Sequence, residues 1–266
     1  MIKPKYHQVL LLALLWNVSL LAQPDENNVS VVSKPEHPAE VVARAAAEIG
    51  QVTYLPPKDR WRHLPRTASL LAKPASELRV VMLGDSIIND TARSRWGDRL
   101  QIHYPNCKIS VVAVVRGSTG CWWYKNSGRI RRYVLPLHPD LLIIGGISQN
   151  SDIPSIRKVI RQVRATNACD VLLMSGAFGQ TDPRDDNQWS FNIPSAPDNY
   201  RAQLRSLATK LHIGFLDMSA PWGAYIRQSG KPLEWFKRDR IHANERGEQL
   251  MGSILASYLS PPLTDE

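Results

Sequence analysis

A serine, an aspartate and a histidine in this sequence have the types and spacing that nucleophilic catalysis needs. Ser86 follows Gly84 and Asp85 directly after an apolar run, and Asp239 precedes His242 by three residues. A serine hydroxyl is a poor nucleophile until a base takes its proton, and histidine is the usual base. A carboxylate fixes the tautomer of the histidine and stabilises its imidazolium form. In a tight turn the three-residue spacing lets Asp239 reach the inner ring nitrogen of His242.

Each of these features alone also has a structural interpretation. Gly-Asp-Ser after a strand is often only a turn into a helix, in which Ser86 or Asp90 is the N-cap. We expect Asp85 to bond to the backbone within that turn. The Asp-x-x-His pattern is weak by itself, because His242 could be an ordinary surface residue. The elements that position these residues therefore decide between the two interpretations.

Apolar runs alternate with helical patterns along most of the chain. Five unbroken apolar runs predict strands: 78–84, 108–117, 139–146, 169–178 and 212–218. Helical stretches follow them at 91–104, 126–137, 153–166, 196–211 and 244–259. Apolar strands separated by helices indicate a parallel sheet that is covered on both faces. The predicted fold class is α/β, a three-layer, doubly wound parallel sheet.

Folds of this class place their chemistry at the carboxyl ends of the strands. The first predicted strand ends at Ser86, the second at Gly117, and the third runs into the stretch from Gly145 to Asn150. A tetrahedral intermediate needs hydrogen-bond donors for its oxyanion. The backbone N–H groups of Ser86 and Gly117, with a side-chain amide after the third strand, would supply them. This conjunction favours a catalytic site.

On these residues the sequence resembles the SGNH (GDSL-type) hydrolase superfamily. The matching blocks are Gly84-Asp85-Ser86, Gly117, the stretch from Gly145-Gly146 to Asn150, and Asp239-Arg240-Ile241-His242, within roughly residues 78–260. The resemblance implies a flavodoxin-like sheet of five strands in the order 2-1-3-4-5. It also implies Ser86 as nucleophile, His242 as base and Asp239 as the acid that orients it. It implies no metal or cofactor.

The third block departs from the pattern of that superfamily. An asparagine usually follows the glycine by two residues, but this register holds Ile147 or Ser148, and Asn150 comes later. Either Asn150 swings back to complete the oxyanion hole, or Gln149 or Ser148 replaces it. Loss of one such donor typically costs about 2.7–4 kcal/mol of barrier lowering, so two backbone donors alone would make a slower enzyme.

The N-terminal residues have the layout of a secretory signal peptide. Lys3 and Lys5 precede an apolar run from Val9 to Ala22, which is shorter than the roughly 20 residues that span a bilayer. We expect cleavage near Ala22, and the alternative is an uncleaved membrane anchor. Residues 23–76 are interpreted as a linker and lead-in, 77–260 as the hydrolase domain and 261–266 as a tail. The mature protein is expected to be secreted or periplasmic and free of the membrane.

Two further features bear on partners. Trp122, Trp123 and Tyr124 follow the second block, and on an exposed loop their rings would stack on sugar rings. The alternative is that these rings pack in the core. The 33 Lys and Arg against 24 Asp and Glu give a net charge of +9, which indicates a solvated basic surface or attraction to an acidic polysaccharide. Export, and the lack of a recognisable motif, argue against nucleic acid.

The combined features predict an enzyme, a secreted esterase that removes acyl groups, acetyl above all, from a carbohydrate. A lipase, aryl esterase or thioesterase of the same fold is the first alternative. A carbohydrate-binding protein on a degenerate hydrolase scaffold is the second, and the irregular third block motivates it. The three cysteines, Cys107, Cys121 and Cys169, match no metal-site spacing, and we expect no essential disulfide among them.

Overall fold

A computed structural model describes residues 29–32, 37–190 and 199–261, and these residues form one mixed sheet between two helical layers. The predicted signal peptide lies outside the described residues. The strands are β1 (Ser30–Val32), β2 (Ser76–Gly84), β3 (Cys107–Val115), β4 (Leu141–Ile144), β5 (Asp170–Met174) and β6 (Gly214–Leu216). They lie in the order β1-β3-β2-β4-β5-β6, and all neighbours are parallel except β1 and β3.

The predicted order of the five parallel strands is confirmed, but the predicted strand count is wrong. The sixth strand, β1, comes from the stretch interpreted as a linker and lead-in, and it pairs antiparallel with Ala113–Val115 of β3. Without it, β3 would be an edge strand with a row of unpaired backbone groups. The two valines of β1 suit this pairing, because β-branched residues favour strands.

The α-helices of the described residues surround this sheet. They are α1 (Ala39–Ile49), α2 (Pro65–Ala72), α3 (Ser86–Arg93), α4 (Trp96–His103), α5 (Cys121–Tyr124), α6 (Arg129–Tyr133), α7 (Ile153–Arg164), α8 (Asp186–Ser190), α9 (Tyr200–Leu211), α10 (Ser219–Ser229) and α11 (Glu245–Leu259). Short 3₁₀ turns occur at Arg60–His63, Leu135–Leu137 and Leu233–Phe236. No helix of the described chain is long and apolar enough to cross a membrane.

Two predicted helices are each divided in the structure. The stretch 91–104 is shared by α3 and α4, which are separated where Arg95 adopts a left-handed backbone with φ 57°. The stretch 126–137 is shared by α6 and a 3₁₀ turn that contains Pro136. Proline has no N–H to donate to the preceding turn, so the helix does not continue through it.

Alternate residues of the central strands point into two separate apolar cores, which confirms the three layers. Val80 and Met82 of β2 pack with α1, α3, α4, α10 and α11 on one face. Val81 and Leu83 pack with α5, α6, α7 and α9 on the other face. The period of two follows from the strand geometry, in which successive side chains point to opposite faces.

The lead-in packs against the end of the chain. α1 contacts α11, and the buried Arg60 donates hydrogen bonds to the carbonyl oxygens of Tyr258 and Ser260, both at 2.6 Å. A guanidinium has five donors in a fixed fork, so one buried arginine can hold two carbonyls of the terminal turn. Cys107, Cys121 and Cys169 are free and buried.

Candidate active site

Ser86 stands at the point where β2 turns into α3, on the carboxyl edge of the sheet. Asp85 is the N-cap of α3, and its Oδ1 accepts a hydrogen bond from the N–H of Ile87 at 3.0 Å. A side chain at Gly84 would run into the Gly145 carbonyl and Ile88, so only glycine lets the two neighbouring turns approach this closely. The serine hydroxyl is thereby fixed at the first residue of a helix, partly exposed.

The structure brings the three residues of the predicted triad together. The Nε2 atom of His242 lies 2.8 Å from the Oγ of Ser86, and the Nδ1 atom lies 2.8 Å from the Oδ2 of Asp239. The other carboxylate oxygen of Asp239 accepts the backbone N–H groups of His242 at 2.8 Å and Ile241 at 2.7 Å. These two backbone bonds hold the pKa of Asp239 well below its usual range. The carboxylate therefore stays ionised and can orient a protonated imidazole.

An ion pair between the buried Asp90 and the partly exposed Arg238 holds the loop that carries Asp239 and His242. Arg238 donates to the Oδ1 of Asp90 at 2.9 Å, and the other oxygen of Asp90 accepts the backbone N–H of Ala243 at 3.1 Å. Arg238 also donates to the carbonyl oxygen of Ala243. Asp90 is fully buried on α3, one helical turn after Ser86, so Ser86 and the loop are anchored to the same helix.

The sequence offered Asp90 only as a possible N-cap, and that interpretation is wrong because Asp85 has this role. The i to i+4 spacing of Ser86 and Asp90 puts both on one side of a helix, and this spacing could have predicted that Asp90 acts close to Ser86. The bond from Arg238 to Asp90 could not be predicted, since nothing in the local sequence of Arg238 indicates a partner 148 residues away.

Glu248 of α11 extends the same buried network. Its carboxylate lies 3.4 Å from Arg238, 3.3 Å from Arg93 and 2.9 Å from the Nε2 of His37. Burial raises the pKa of Glu248 to about 8, and the charges of the two arginines act in the opposite direction. The network joins the loop of Asp239 and His242 to α11 and to His37 of the lead-in.

Asp85 links the nucleophile turn to the loop after β4. Its Oδ2 accepts the backbone N–H groups of Ile147 at 2.7 Å and Ser148 at 2.6 Å. Gly146, which directly precedes Ile147, has a backbone φ of 96°, and a Cβ on it would collide with the Asp85 carboxylate. The predicted structural role of Asp85 is confirmed, and it extends to the neighbouring loop.

The candidate oxyanion donors fall into two groups. Gly84 pairs with Val115 in the sheet register, so Ser86 and Gly117 each lie two residues beyond the ends of adjacent strands. Gly117 is exposed, and a Cβ built on it would meet no atom within 4 Å, which leaves room for a substrate. Both residues can present a backbone N–H at this edge.

The side chains after β4 are engaged to different extents. Gln149 is buried, donates to the Gly145 carbonyl at 2.8 Å and accepts the N–H of Cys121 at 2.9 Å, so its amide is used within the fold. Ser148 gives its N–H to Asp85, which fixes its backbone. Asn150 is exposed with φ 52°, and it makes no hydrogen bond with the described part of the chain. Gln149 is therefore engaged, whereas the Asn150 amide and the Ser148 hydroxyl form no hydrogen bond within the described part of the chain.

The expectation of exposed aromatic platforms is wrong for Trp123 and Tyr124. Tyr124 is fully buried and its hydroxyl donates to the Gly84 carbonyl at 3.1 Å. Trp123 is 8% exposed, and the Arg129 guanidinium carbon lies 3.7 Å from its ring centroid. The segment is a helical turn whose inner side packs on the sheet, so these rings face the core. Trp122 is half-buried, and its indole N–H donates to the Ser148 carbonyl at 2.9 Å.

A cavity of about 310 Å³ lies beside the turn that follows β4. Gly146 and Ile147 form one side, and Trp189, Trp222 and the buried Arg201 line other parts of it. It reaches the loop bonded to Asp85, but Ser86 and His242 do not line it. No cluster of three or more metal-ligating side chains occurs within the described ranges.

Comparison with known proteins identifies the fold. No protein-family model matches the chain, and no curated protein is significantly similar to it. Among solved structures, Axe2, an acetylxylan esterase from Geobacillus stearothermophilus, is 15% identical with a TM-score of 0.54, over 70% of this chain and 94% of Axe2. The two-domain esterase CEX, active on acetylated mannans, is 16% identical with a TM-score of 0.55, over 77% of this chain and 54% of CEX. The predicted three-layer α/β fold is confirmed, because the chain shares it with these esterases.

Proposed function

We propose that this protein is a serine ester hydrolase that removes acyl groups, acetyl above all, from a carbohydrate. The observation that carries the proposal is the continuous hydrogen-bonded chain from Asp239 through His242 to Ser86, with both links at 2.8 Å. A base within 2.6–3.2 Å of a nucleophile, oriented in turn by a third group, is the geometric signature of an activated serine. From the predicted signal peptide we propose that it acts outside the cytoplasm.

The reaction proceeds in two halves. The Oγ of Ser86 attacks the ester carbonyl carbon while the Nε2 of His242 takes the hydroxyl proton, and Asp239 stabilises the imidazolium. The oxyanion accepts hydrogen bonds from the N–H groups of Ser86 and Gly117, with Asn150 as the third donor. The intermediate collapses, His242 gives the proton to the departing sugar oxygen, and Ser86 keeps the acyl group. Water then attacks the acyl-enzyme with His242 as base and releases the acid.

The names of the similar structures support this assignment. Three Axe2 structures are of catalytic mutants, in which a serine, an aspartate and a histidine are each replaced by alanine. The mutated aspartate precedes the mutated histidine by three residues, which is the spacing of Asp239 and His242. CEX is described as active on acetylated mannans. Acetylated polysaccharides are therefore the substrates to test first.

Single substitutions of the triad test the mechanism. Ser86→Ala and His242→Ala should each lower kcat on p-nitrophenyl acetate and on acetylated xylan or mannan by at least about 10³-fold. Ser69→Ala, an exposed serine on α2, is the matched control and should retain activity. Circular dichroism checks that each variant folds. Wild-type turnover by Ser86→Ala would refute the assignment of the nucleophile.

Two further measurements separate the alternatives. A fluorophosphonate probe should label the wild-type protein on Ser86, and no labelling would favour a carbohydrate-binding protein without catalysis. Hydrolysis should be fastest for acetyl esters in a series of increasing acyl length. A preference for long chains would favour a lipase and contradict the acetyl assignment.

A further inference from the structure

The positive charge of this protein is concentrated on one helical layer. α6 carries three arginines, α7 carries four basic residues and α9 carries three, and none of the three helices contains an Asp or Glu. The opposite layer, formed by α1, α3, α4, α10 and α11, carries six acidic and five basic residues. Such segregation creates a field over one face, whereas an ordinary solvated surface mixes both signs.

Four of these cations have no ionic partner among the described residues. Lys158, Arg161 and Lys210 are exposed, and Arg157 is half-buried. No carboxylate within the described ranges forms a salt bridge with any of these four. Arg201 and Arg205 of the same layer share the carboxylate of Asp217. Unpaired like charges at this density repel one another, and a bound polyanion would relieve that repulsion.

The cations line two connected grooves. One groove of about 380 Å³ is lined by Ile153, Pro154, Arg157, Lys158 and Arg161 of α7. A second of about 280 Å³ shares Ile153 and Arg157 and runs along α9 to Lys210. Because Arg157, Arg161 and Arg164 recur at four- and three-residue spacing, they form a row along one side of α7, about one charge per 5.4 Å turn.

The grooves begin at the edge of the sheet that holds the candidate active site. α7 connects two parallel strands, β4 and β5, so its first residue, Ile153, lies on the carboxyl side of the sheet, as Ser86 does. A linear chain lying in the grooves therefore extends toward the edge where the nucleophile stands. A compact anion would use only part of this surface.

We propose that the layer formed by α6, α7 and α9 is a docking surface for an acidic polysaccharide, one that carries carboxylate or sulfate groups along its chain. The choice of a carbohydrate rests on the proposed function, and the choice of an acidic one rests on the charge of the layer. The surface holds the polymer while its acyl groups are presented at Ser86. It thus sets the class of substrate for the esterase.

Binding assays test the surface separately from the chemistry. Polygalacturonate and chondroitin sulfate distinguish carboxylate from sulfate, dextran is the neutral control, and duplex DNA and phosphatidylserine vesicles represent other polyanions. The wild-type protein should bind at least one of the two acidic polysaccharides, with Kd rising steeply between about 0.05 and 0.2 M salt, and should not bind dextran. Tighter binding to DNA or to vesicles than to both acidic polysaccharides would overturn the proposal.

A matched pair of triple variants localises the binding. Lys158→Gln, Arg161→Gln and Lys210→Gln together should weaken polysaccharide binding by about tenfold or more and flatten its salt dependence. Arg44→Gln, Lys58→Gln and Lys73→Gln remove the same charge from exposed positions elsewhere and should bind as the wild type does. Equal binding by the two triple variants would refute the proposed surface.

Controls on turnover keep this inference apart from the proposed function. Both triple variants should hydrolyse p-nitrophenyl acetate at the wild-type rate, because this small ester does not need the grooves. Ser86→Ala should bind the polysaccharide as tightly as the wild type. Loss of turnover in Ser86→Ala with unchanged binding in the groove variant would refute the docking surface alone, and the reverse result would refute only the catalytic assignment.

Discussion

The ion pair of the buried Asp90 and the partly exposed Arg238 makes a quantitative prediction about how the loop with Asp239 and His242 is held. Asp90→Asn keeps the size of the side chain but removes its charge, and one of its two terminal atoms becomes an N–H donor. That donor would face either the Arg238 guanidinium or the N–H of Ala243, which now approach the carboxylate at 2.9 and 3.1 Å. One of these two hydrogen bonds is therefore lost in either orientation of the amide.

The expected loss in the free energy of unfolding follows from how deeply each side chain of the pair is buried. Removing one partner of a fully buried pair costs about 3–5 kcal/mol, and a hydrogen bond to a charged group is worth about 1.5–3 kcal/mol. Asp90 is fully buried, but the Arg238 side chain is 37% exposed and keeps its bond to the Ala243 carbonyl. We therefore expect the free energy of unfolding to fall by about 2–3 kcal/mol, below the range for a fully buried pair. At about 2–4 °C per kcal/mol for a domain of this size, Tm falls by about 4–12 °C.

Activity should fall as well, because the loop also carries Asp239 and His242. A displacement of about 1 Å at a reacting group can cost about 10²-fold, so we expect kcat of Asp90→Asn to fall by about 10–100-fold with little change in KM. The assay is p-nitrophenyl acetate hydrolysis below the transition of the variant, beside urea unfolding. Arg240→Gln, an exposed guanidinium in the same loop, is the control and should change neither quantity much.

A double-mutant cycle gives the decisive result. Asp90→Asn combined with Arg238→Gln leaves no unpaired charge, so its loss of stability should be smaller than the sum of the two single losses by about 0.5–3 kcal/mol. Strict additivity, or wild-type kcat in Asp90→Asn, would refute the idea that the pair positions the loop.

Three further predictions concern other parts of the site. Asn150→Ala should lower kcat by about 10²–10³-fold, because it removes the third oxyanion donor. Ser151→Ala, at the neighbouring exposed position with the same left-handed backbone, is the control and should not lower kcat. A loss below about tenfold in Asn150→Ala would leave the two backbone N–H groups as the whole oxyanion hole. Gln149→Leu should lower the free energy of unfolding by about 2–3 kcal/mol, because a buried carbonyl and a buried N–H lose their partner, and unchanged urea unfolding would contradict this. Glu248→Gln removes a carboxyl whose pKa is raised from 4.5 to about 8 in the folded protein. The stability of the wild type relative to this variant should therefore be fully present below pH 4.5 and fall as the pH rises to about 8. A constant difference in the free energy of unfolding across this window would refute the raised pKa.

The core of the fold could be predicted because its signals are local and repetitive. Continuous apolar runs mark strands that are buried on both faces, and the helices between them force parallel neighbours. The edge strand β1 could not be predicted, since three residues carry no measurable periodicity and their pairing with β3 is a tertiary contact. The break at Arg95 is of the same kind, because a left-handed residue that is not glycine leaves no mark in the sequence.

In the candidate site, too, local contacts could be predicted from the sequence and distant contacts could not. Asp239 reaches His242 within one turn, so a three-residue spacing was enough to predict that hydrogen bond. Gln149 was one of two alternatives to Asn150 as the oxyanion donor, but its side chain bonds to the N–H of Cys121, 28 residues away, and no pattern in either segment indicates that contact. The contact between His242 and Ser86 joins residues 156 positions apart, and it could be predicted only because both short motifs resemble those of a known superfamily. Residues that hold the loops in place are set only by the packing of distant segments, and for this protein they had to be found in the structure.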